Sequence, residues 1–463
     1  MLAVLTTVDL IKLAIIGPLF FLLAPAAGLF LKDRPGWQRV VFAVMCFMTL
    51  NGLLTPGNWG LTLGSIEEYR GHTKGYHFYF NHALAIALIV AKWREDRKNF
   101  RWLPPGIGLF LLYCAVSLLS IGNAEDKNLA FMAAHKTIFA SVLMIATFNT
   151  LRTEEDFKFF LRVMTWTMAW ELFVCLKMKY LGHMYQIHGT FEHQNPLAMY
   201  SLLIGMVFLA VGLGPKFKGA NLLMFAFVIC AVIVECTLSR GALAMFAAGT
   251  MLTVGLSLAE KITARRLLTT ATMGVVGAIG LILVLDTVIS RFHDQGNQAS
   301  GELREVMKDA CRAMVHDYPL GIGWNNYALV INHPYPYSEI YYDWDRSRGM
   351  KPNYEVANGV VESHYYLLIA ENGYLGLYAW FAVIFVGLWR NIRAFLFFGH
   401  TFLRCLSLGI FLGCGLNYAQ STLERVLVQP RNLMLWLILL GITARIEVMR
   451  REAKSRKHAA QIT

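Results

Sequence analysis

A helical protein that crosses a membrane many times is the fold class this sequence predicts, and three observations predict it. Hydrophobic residues make up 56% of the 463 and charged residues only 16%, well under the roughly one quarter usual in soluble domains. Apolar runs of about 20 residues, the length that crosses a ~30 Å hydrocarbon core, recur from end to end. Short charged connectors separate them, and since lipid leaves no partner for bare backbone the runs must be helices. The expectation is an all-α polytopic protein.

The runs lie near 10–31, 40–55, 77–91, 103–121, 129–149, 159–180, 195–213, 221–238, 242–260, 268–289, 363–388, 395–418 and 432–446. Asp9, Lys12, Pro18 and Pro25 interrupt the first, which leaves about twelve spans expected. No basic n-region with a small-residue cleavage site opens the sequence, so the spans themselves are expected to direct insertion.

Basic residues set the orientation, because inner loops retain Lys and Arg. Lys92, Arg94, Arg97, Lys98 and Arg101 crowd one connector; Lys216 with Lys218, then Lys261, Arg265 and Arg266, then Arg390 and Arg393 fill alternate later ones; Arg445, Arg450, Arg451, Lys454, Arg456 and Lys457 end the chain. All belong inside. The remaining connectors, near 56–76, 122–128, 181–194, 239–241, 291–362 and 419–431, therefore face outward. Three parts follow: an N-terminal bundle at 1–290, a large outer loop at 291–362, and C-terminal helices with a basic inner tail at 363–463. The net charge of +12 is then mostly topology, with membrane lipids as its partner. Nucleic acid is not implied.

Seven of the eight cysteines sit in or beside apolar runs and Cys311 is alone in the outer loop. CxxC and HExxH motifs, a Gly-rich phosphate loop after a strand and internal repeats are all missing. Nucleotide-driven transport and zinc hydrolysis thus lose their usual signatures, and neither metal nor cofactor is expected.

Chemistry is therefore sought at the outward ends, above all in the polar island from Arg291 to Glu362, which carries Arg304, Arg312, His316, Asp343, Asp345, Arg346, Arg348 and Lys351. In "TLSRGALAMF" Arg240 occupies a short outward turn, with Glu235 five residues before it. It reads either as an interface anchor paired with Glu235 or as a guanidinium fork for a phosphate. In "SGELREVMKDACRAMVHDYPLGIGWNNY" the positions Leu303, Val306, Met307, Ala310, Cys311, Met314 and Val315 recur at helical spacing. They predict an amphipathic helix closed by Pro319 and Gly321, on the membrane surface or capping the bundle. Its Arg304, Lys308 and Arg312 stack at i, i+4 and i+8 as a solvated face or an anion site.

The next apolar run opens with Glu362, Ser363 and His364 and carries Glu371 seven residues beyond the histidine. A histidine at a membrane mouth can take a proton from a sugar hydroxyl; it can equally be an interfacial side chain bonded to a carbonyl. Glu371, followed by Asn372, Gly373 and Gly376, needs a buried partner, for which an arginine is the candidate, while the glycines permit close helix approach. In "IHGTFEHQNPLAMYSLL" His188, His193, Gln194 and Asn195 form the polar start of a span; the two histidines lack a third ligand at metal spacing. In the outer loop "GSIEEYRGHTKGYHFYF", Arg70, His72, Lys74 and His77 can touch headgroups or a sugar.

Taken in order, "GTFEHQNPLA", "SRGALAMF", Arg304 ahead of "PLGIGWNNY", and "SHYYLLIAENGYLGL" resemble the O-antigen ligase family and its polymerase relatives over roughly 185–390. The resemblance implies a GT-C-like glycosyltransferase of the bacterial inner membrane, with one large periplasmic loop and no metal. Its donor would be a glycan on undecaprenyl diphosphate, and its acceptor in the ligase branch a core sugar of lipid A-core. On this reading Arg240, Arg304 and Arg312 hold the diphosphate, and His364 deprotonates the acceptor with inversion at the anomeric carbon. Asn195, Arg70, Lys74 and Glu371 contact glycan or acceptor. The family's histidine stands farther from the helix glutamate than His364 stands from Glu371, and an ungapped register puts Glu362 in that slot, as the alternative base. A polymerase or a protein O-glycosylating relative would share these motifs. A flippase would instead gather polar residues near the bilayer midplane.

Overall fold

The computed structural model describes residues 6–462 apart from 51, 55, 56, 58, 265, 269, 272, 273, 275–295, 356 and 357. The fold is all-α and polytopic. Among the described residues nine helices are long and apolar enough to cross a membrane: Thr7–Leu31, Lys127–Thr150, Glu154–Tyr180, Gln194–Gly212, Ala220–Thr237, Arg240–Glu260, His364–Phe397, Phe402–Gln420 and the one from Pro430. Three expected spans are shorter helices, Pro35–Phe47, Phe80–Glu95 and Ile107–Leu118. Most of the run at 268–289, with Arg265 and Arg291, lies outside the described residues.

The interrupted first run is helical after all, because its polar residues have work to do. Thr6 and Asp9 form a capping box, and Asp9 Oδ1 also accepts the Gly64 N–H at 3.1 Å while Lys12 Nζ donates to the Thr62 carbonyl at 2.9 Å. Pro18 opens a wider turn, Pro18–Leu23, which accommodates the missing N–H without ending the helix. Gly64 and Thr62 belong to a hairpin of Gly60–Leu63 and Tyr76–Tyr79, paired antiparallel with Gly60 opposite Tyr79. It replaces the start of the span expected at 77–91. The aromatic tetrad YHFY, and glycines at Gly60, Gly64 and Gly75, favour strand there, a pattern too short for hydropathy to separate from helix.

Small residues let the central helices touch. A Cβ on Gly413 would stand 2.5 Å from the Leu203 carbonyl oxygen, and one on Gly409 2.6 Å from Val207 Cα, so Phe402–Gln420 and Gln194–Gly212 pack backbone to backbone. Tyr200, Phe208 and Trp436 are fully buried around them.

The basic connectors share one end of the bundle. Arg152 pairs with Asp96 at 2.7 Å, and Glu260 gathers Arg266 at 3.3 Å, Arg404 at 3.0 Å and His400 at 3.2 Å. Arg266 does more than mark topology. It is 3% exposed, donates to the carbonyls of Leu213 and Lys261 at 2.8 Å each, and also bonds the Ser257 carbonyl.

At the opposite end the helix Gly296–Asp317 caps the bundle. Its Ala310, Cys311, Met314 and Val315 are buried, the first three clustering with Ile322, Tyr327, Leu367 and Ala370. A second short helix, Ser338–Ser347, follows it. The final helix runs unbroken from Pro430 to Ile462, so the basic tail continues a span rather than trailing from it.

Candidate active site

Four segments distant in sequence meet at the polar end. His193 caps the helix Gln194–Gly212, its Nδ1 accepting the Asn195 N–H at 3.3 Å, which fixes Asn195 in the first turn. From there Asn195 Nδ2 donates to Glu424 Oε1 at 2.8 Å. Glu424 lies in the turn after Phe402–Gln420, its own N–H bonded to the Gln420 carbonyl at 2.9 Å. The His364 N–H donates to the Ser421 carbonyl at 2.9 Å, and the Tyr365 hydroxyl to the Tyr418 carbonyl at 2.7 Å. This staples the start of His364–Phe397 to the turn and brings Glu362 within electrostatic range of Glu424. Arg304 completes the group. Its Nε donates to Glu362 Oε2, and a terminal nitrogen lies 3.6 Å from Glu424 Oε1.

The electrostatics follow from that crowding. Burial first, then the Glu362 charge, push the Glu424 carboxyl up to about 7, against the pull of Arg304, the Asn195 hydrogen bond and Arg425. Arg425 is itself largely withdrawn from solvent and faces Glu362, Glu424 and Glu371. Arg240 opens the helix Arg240–Glu260 after Leu238, which takes a left-handed conformation (φ 52°). A Cβ on Gly241 would stand 2.5 Å from Gln420 Nε2, so the Arg240 turn lies against the last turn before Glu424. Cations, carboxyls and a helix N-terminus thus converge where a phosphate group can be held.

Several expected site residues lie elsewhere. Arg312 is eight residues beyond Arg304 on the same helix, about 12 Å along its axis. There it pairs with Asp309 and donates to the Tyr366 hydroxyl at 2.8 Å. It is a solvated surface pair, off the Arg304 group. Arg70 and Lys74 are exposed in the loop between the strands, Lys74 donating to the Glu67 carbonyl at 3.2 Å.

Glu371 is 2% exposed, and the side chain that hydrogen-bonds it is a histidine instead of the arginine expected from the sequence. Oε2 lies 3.0 Å from His72 Nε2, and Oε1 accepts the Tyr327 N–H at 3.2 Å. Lys136 Nζ stands 3.3 Å from His72 Nδ1. Burial holds the His72 imidazole below its ordinary range, Glu371 opposing and Lys136 reinforcing that shift, which suits a neutral ring passing a hydrogen bond from lysine to carboxylate. The chain buries this polar group because backbone demands it. Gly373 breaks the helix (φ 66°, ψ −172°), and the Ile322 and Gly323 N–H groups take the freed carbonyls of Ala370 and Glu371 at 2.9 and 3.2 Å.

His364 is equally internal. It is 2% exposed, its ring packs edge-on to Trp380 at 5.3 Å, and neither ring nitrogen has a hydrogen-bond partner among the described residues. The residue lines a small cavity with His72, Tyr113, Lys136, Trp324 and Trp380. Of the two bases read from the sequence, Glu362 is the one beside Arg304 and half open to solvent, at 41%.

Residues 225–381 match the family model described as O-Antigen ligase. This region resembles the O-antigen ligase family. No curated protein matches the chain. The family points to a glycan-transferring membrane enzyme of the ligase and polymerase superfamily, acting on lipid-linked glycans. Its matched region holds Arg240, Arg304, Glu362 and His364; Asn195, Glu424, Arg425 and Lys136 lie beyond it. Glu424, Arg425 and Lys136 were not singled out from the sequence. Lys136, a cation within the apolar run "FMAAHKTIFA", carried the signal that an intramembrane charge always carries. Glu424 carried none, since one acid in a short connector is ordinary.

Proposed function

We propose that the chain transfers O-antigen glycan from undecaprenyl diphosphate to a core-sugar hydroxyl of lipid A-core, on the periplasmic face of a bacterial inner membrane. The observation that carries this reading is the Arg304 group: a guanidinium shared by Glu362 and Glu424 at the polar end, with the Arg240 turn packed beside it. A lipid diphosphate presents its charge at headgroup depth. Arg240 and Arg304 meet it there and neutralise the leaving group as the glycosidic bond breaks, the task that a metal performs in nucleotide-sugar enzymes. The acceptor hydroxyl attacks the opposite face of the sugar, inverting the anomeric carbon, and a carboxyl of the group takes its proton. His364, enclosed behind this group, supports the site from within.

Binding tests the assignment. The purified protein in lipid vesicles should hold undecaprenyl-diphosphate glycan in the presence of EDTA, and Arg304→Ala should weaken that binding at least ~10-fold, as loss of a charge-assisted contact does. Unchanged binding in Arg304→Ala, or binding abolished by EDTA alone, rejects it.

A further inference from the structure

We propose that Glu424 is the residue that accepts the acceptor's proton, with Glu362 held beside it on Arg304; this rests on the transfer reading above and deepens it. Geometry separates the two carboxyls. Glu362 has Oε2 engaged by the Arg304 guanidinium, which keeps that oxygen from an acceptor hydroxyl. Glu424 is held by one oxygen only. Asn195 fixes Oε1 at 2.8 Å, while Oε2 takes no hydrogen bond among the described residues, and its side chain is 17% exposed against 41% for Glu362.

Burial first, then Glu362 from the segment before His364, lift the Glu424 carboxyl to about 7, against Arg304 from the capping helix, Asn195 from the start of Gln194–Gly212 and Arg425 from the same turn; His193 beside Asn195 and Arg240 in the turn beside Gln420 are the other charged or titratable groups around it. A general base is most effective at neutral pH in that range. When the donor's diphosphate draws Arg304 away, Glu424 loses a cation that lies 3.6 Å from it and holds a proton more firmly.

The step balances. The acceptor oxygen forms a bond to the anomeric carbon, the bond from that carbon to the diphosphate oxygen breaks with its electron pair going to the diphosphate, and the hydroxyl proton goes to Glu424.

Two readouts on wild type, Glu424→Gln, Glu424→Asp and Glu362→Gln test this. Infrared titration of the reconstituted protein should show a carboxyl changing protonation near pH 7 that is missing in Glu424→Gln; no such band overturns the proposal whether or not transfer is observed. In the transfer assay the wild-type rate should rise with pH through about 7, because only the ionised carboxylate accepts the proton. Glu424→Gln should lose ~10²-fold and that rising limb, and Glu424→Asp should restore part of both. Glu362→Gln should move the limb to lower pH, since a neighbouring negative charge is removed. Retention of the limb in Glu424→Gln, or its disappearance in Glu362→Gln, overturns the assignment. A wild-type protein that folds and moves no glycan rejects the transfer reading instead, and the infrared result still stands on its own.

Discussion

Gly321 lies so close to Glu371 that a Cβ would stand 2.3 Å from the Glu371 carbonyl oxygen, and Gly373 reciprocates with 2.2 Å to the Pro319 carbonyl oxygen. The two glycines interlock the turn after the capping helix with the break in the helix His364–Phe397. Both take positive φ, 90° and 66°, which a side chain resists. Gly373→Ala should therefore destabilise the protein by about 2–4 kcal/mol, strain and overlap together. Thermal unfolding in detergent checks this, and wild-type stability would remove the interlock.

Arg304 and Arg312 share a helix face and should differ sharply in effect. Arg304→Ala should lower glycan transfer ~10²-fold or more with folding retained, as removal of one positioned donor does. Arg312→Ala should stay within about threefold, because an exposed ion pair contributes at most ~1 kcal/mol. Steady-state rates on the two variants decide it; equal losses would return Arg312 to the site.

Arg266 belongs to the basic connectors of the inner face, and its burial gives it a structural role as well. Arg266→Ala should cost about 3 kcal/mol of stability by leaving the carbonyls of Leu213, Ser257 and Lys261 without this donor. The transfer rate per folded molecule should not change. Denaturation midpoints alongside specific activity separate the two.

At Gly413 the test is steric. Gly413→Leu places a side chain into the Leu203 backbone and should destabilise the central helix pair by ~2 kcal/mol or more. A variant with the wild-type unfolding temperature would show that the helices do not pack there.

The membrane class, most of the spans and the capping helix were legible because each rests on a long periodic signal. Apolar runs of span length survive any tertiary context, and Leu303 to Val315 repeats at helical spacing. The hairpin of Gly60–Leu63 and Tyr76–Tyr79 was not legible, since four residues carry no usable period. Arg304, Glu362 and Asn195 were readable as polar residues at outward ends. Their meeting point was not: Glu424 joins them only because the His364 N–H finds the Ser421 carbonyl, a contact between segments far apart in sequence. The Glu371 partner was misread for the same reason. A buried carboxylate announces that it needs a donor, but which of the available histidines, lysines and arginines supplies it is decided by packing.

The central claim is transfer of a lipid-linked glycan at the Arg304 group, and product mass tests it most directly. Purified protein in vesicles is given undecaprenyl-diphosphate glycan and lipid A-core without nucleotide and with EDTA, beside Arg304→Ala as control. The account predicts glycan joined to the core lipid by the wild type, with the product nearly lost in the variant. Longer carrier-linked chains would contradict the ligase assignment in favour of a polymerase, and unchanged masses would contradict glycan transfer to this acceptor altogether.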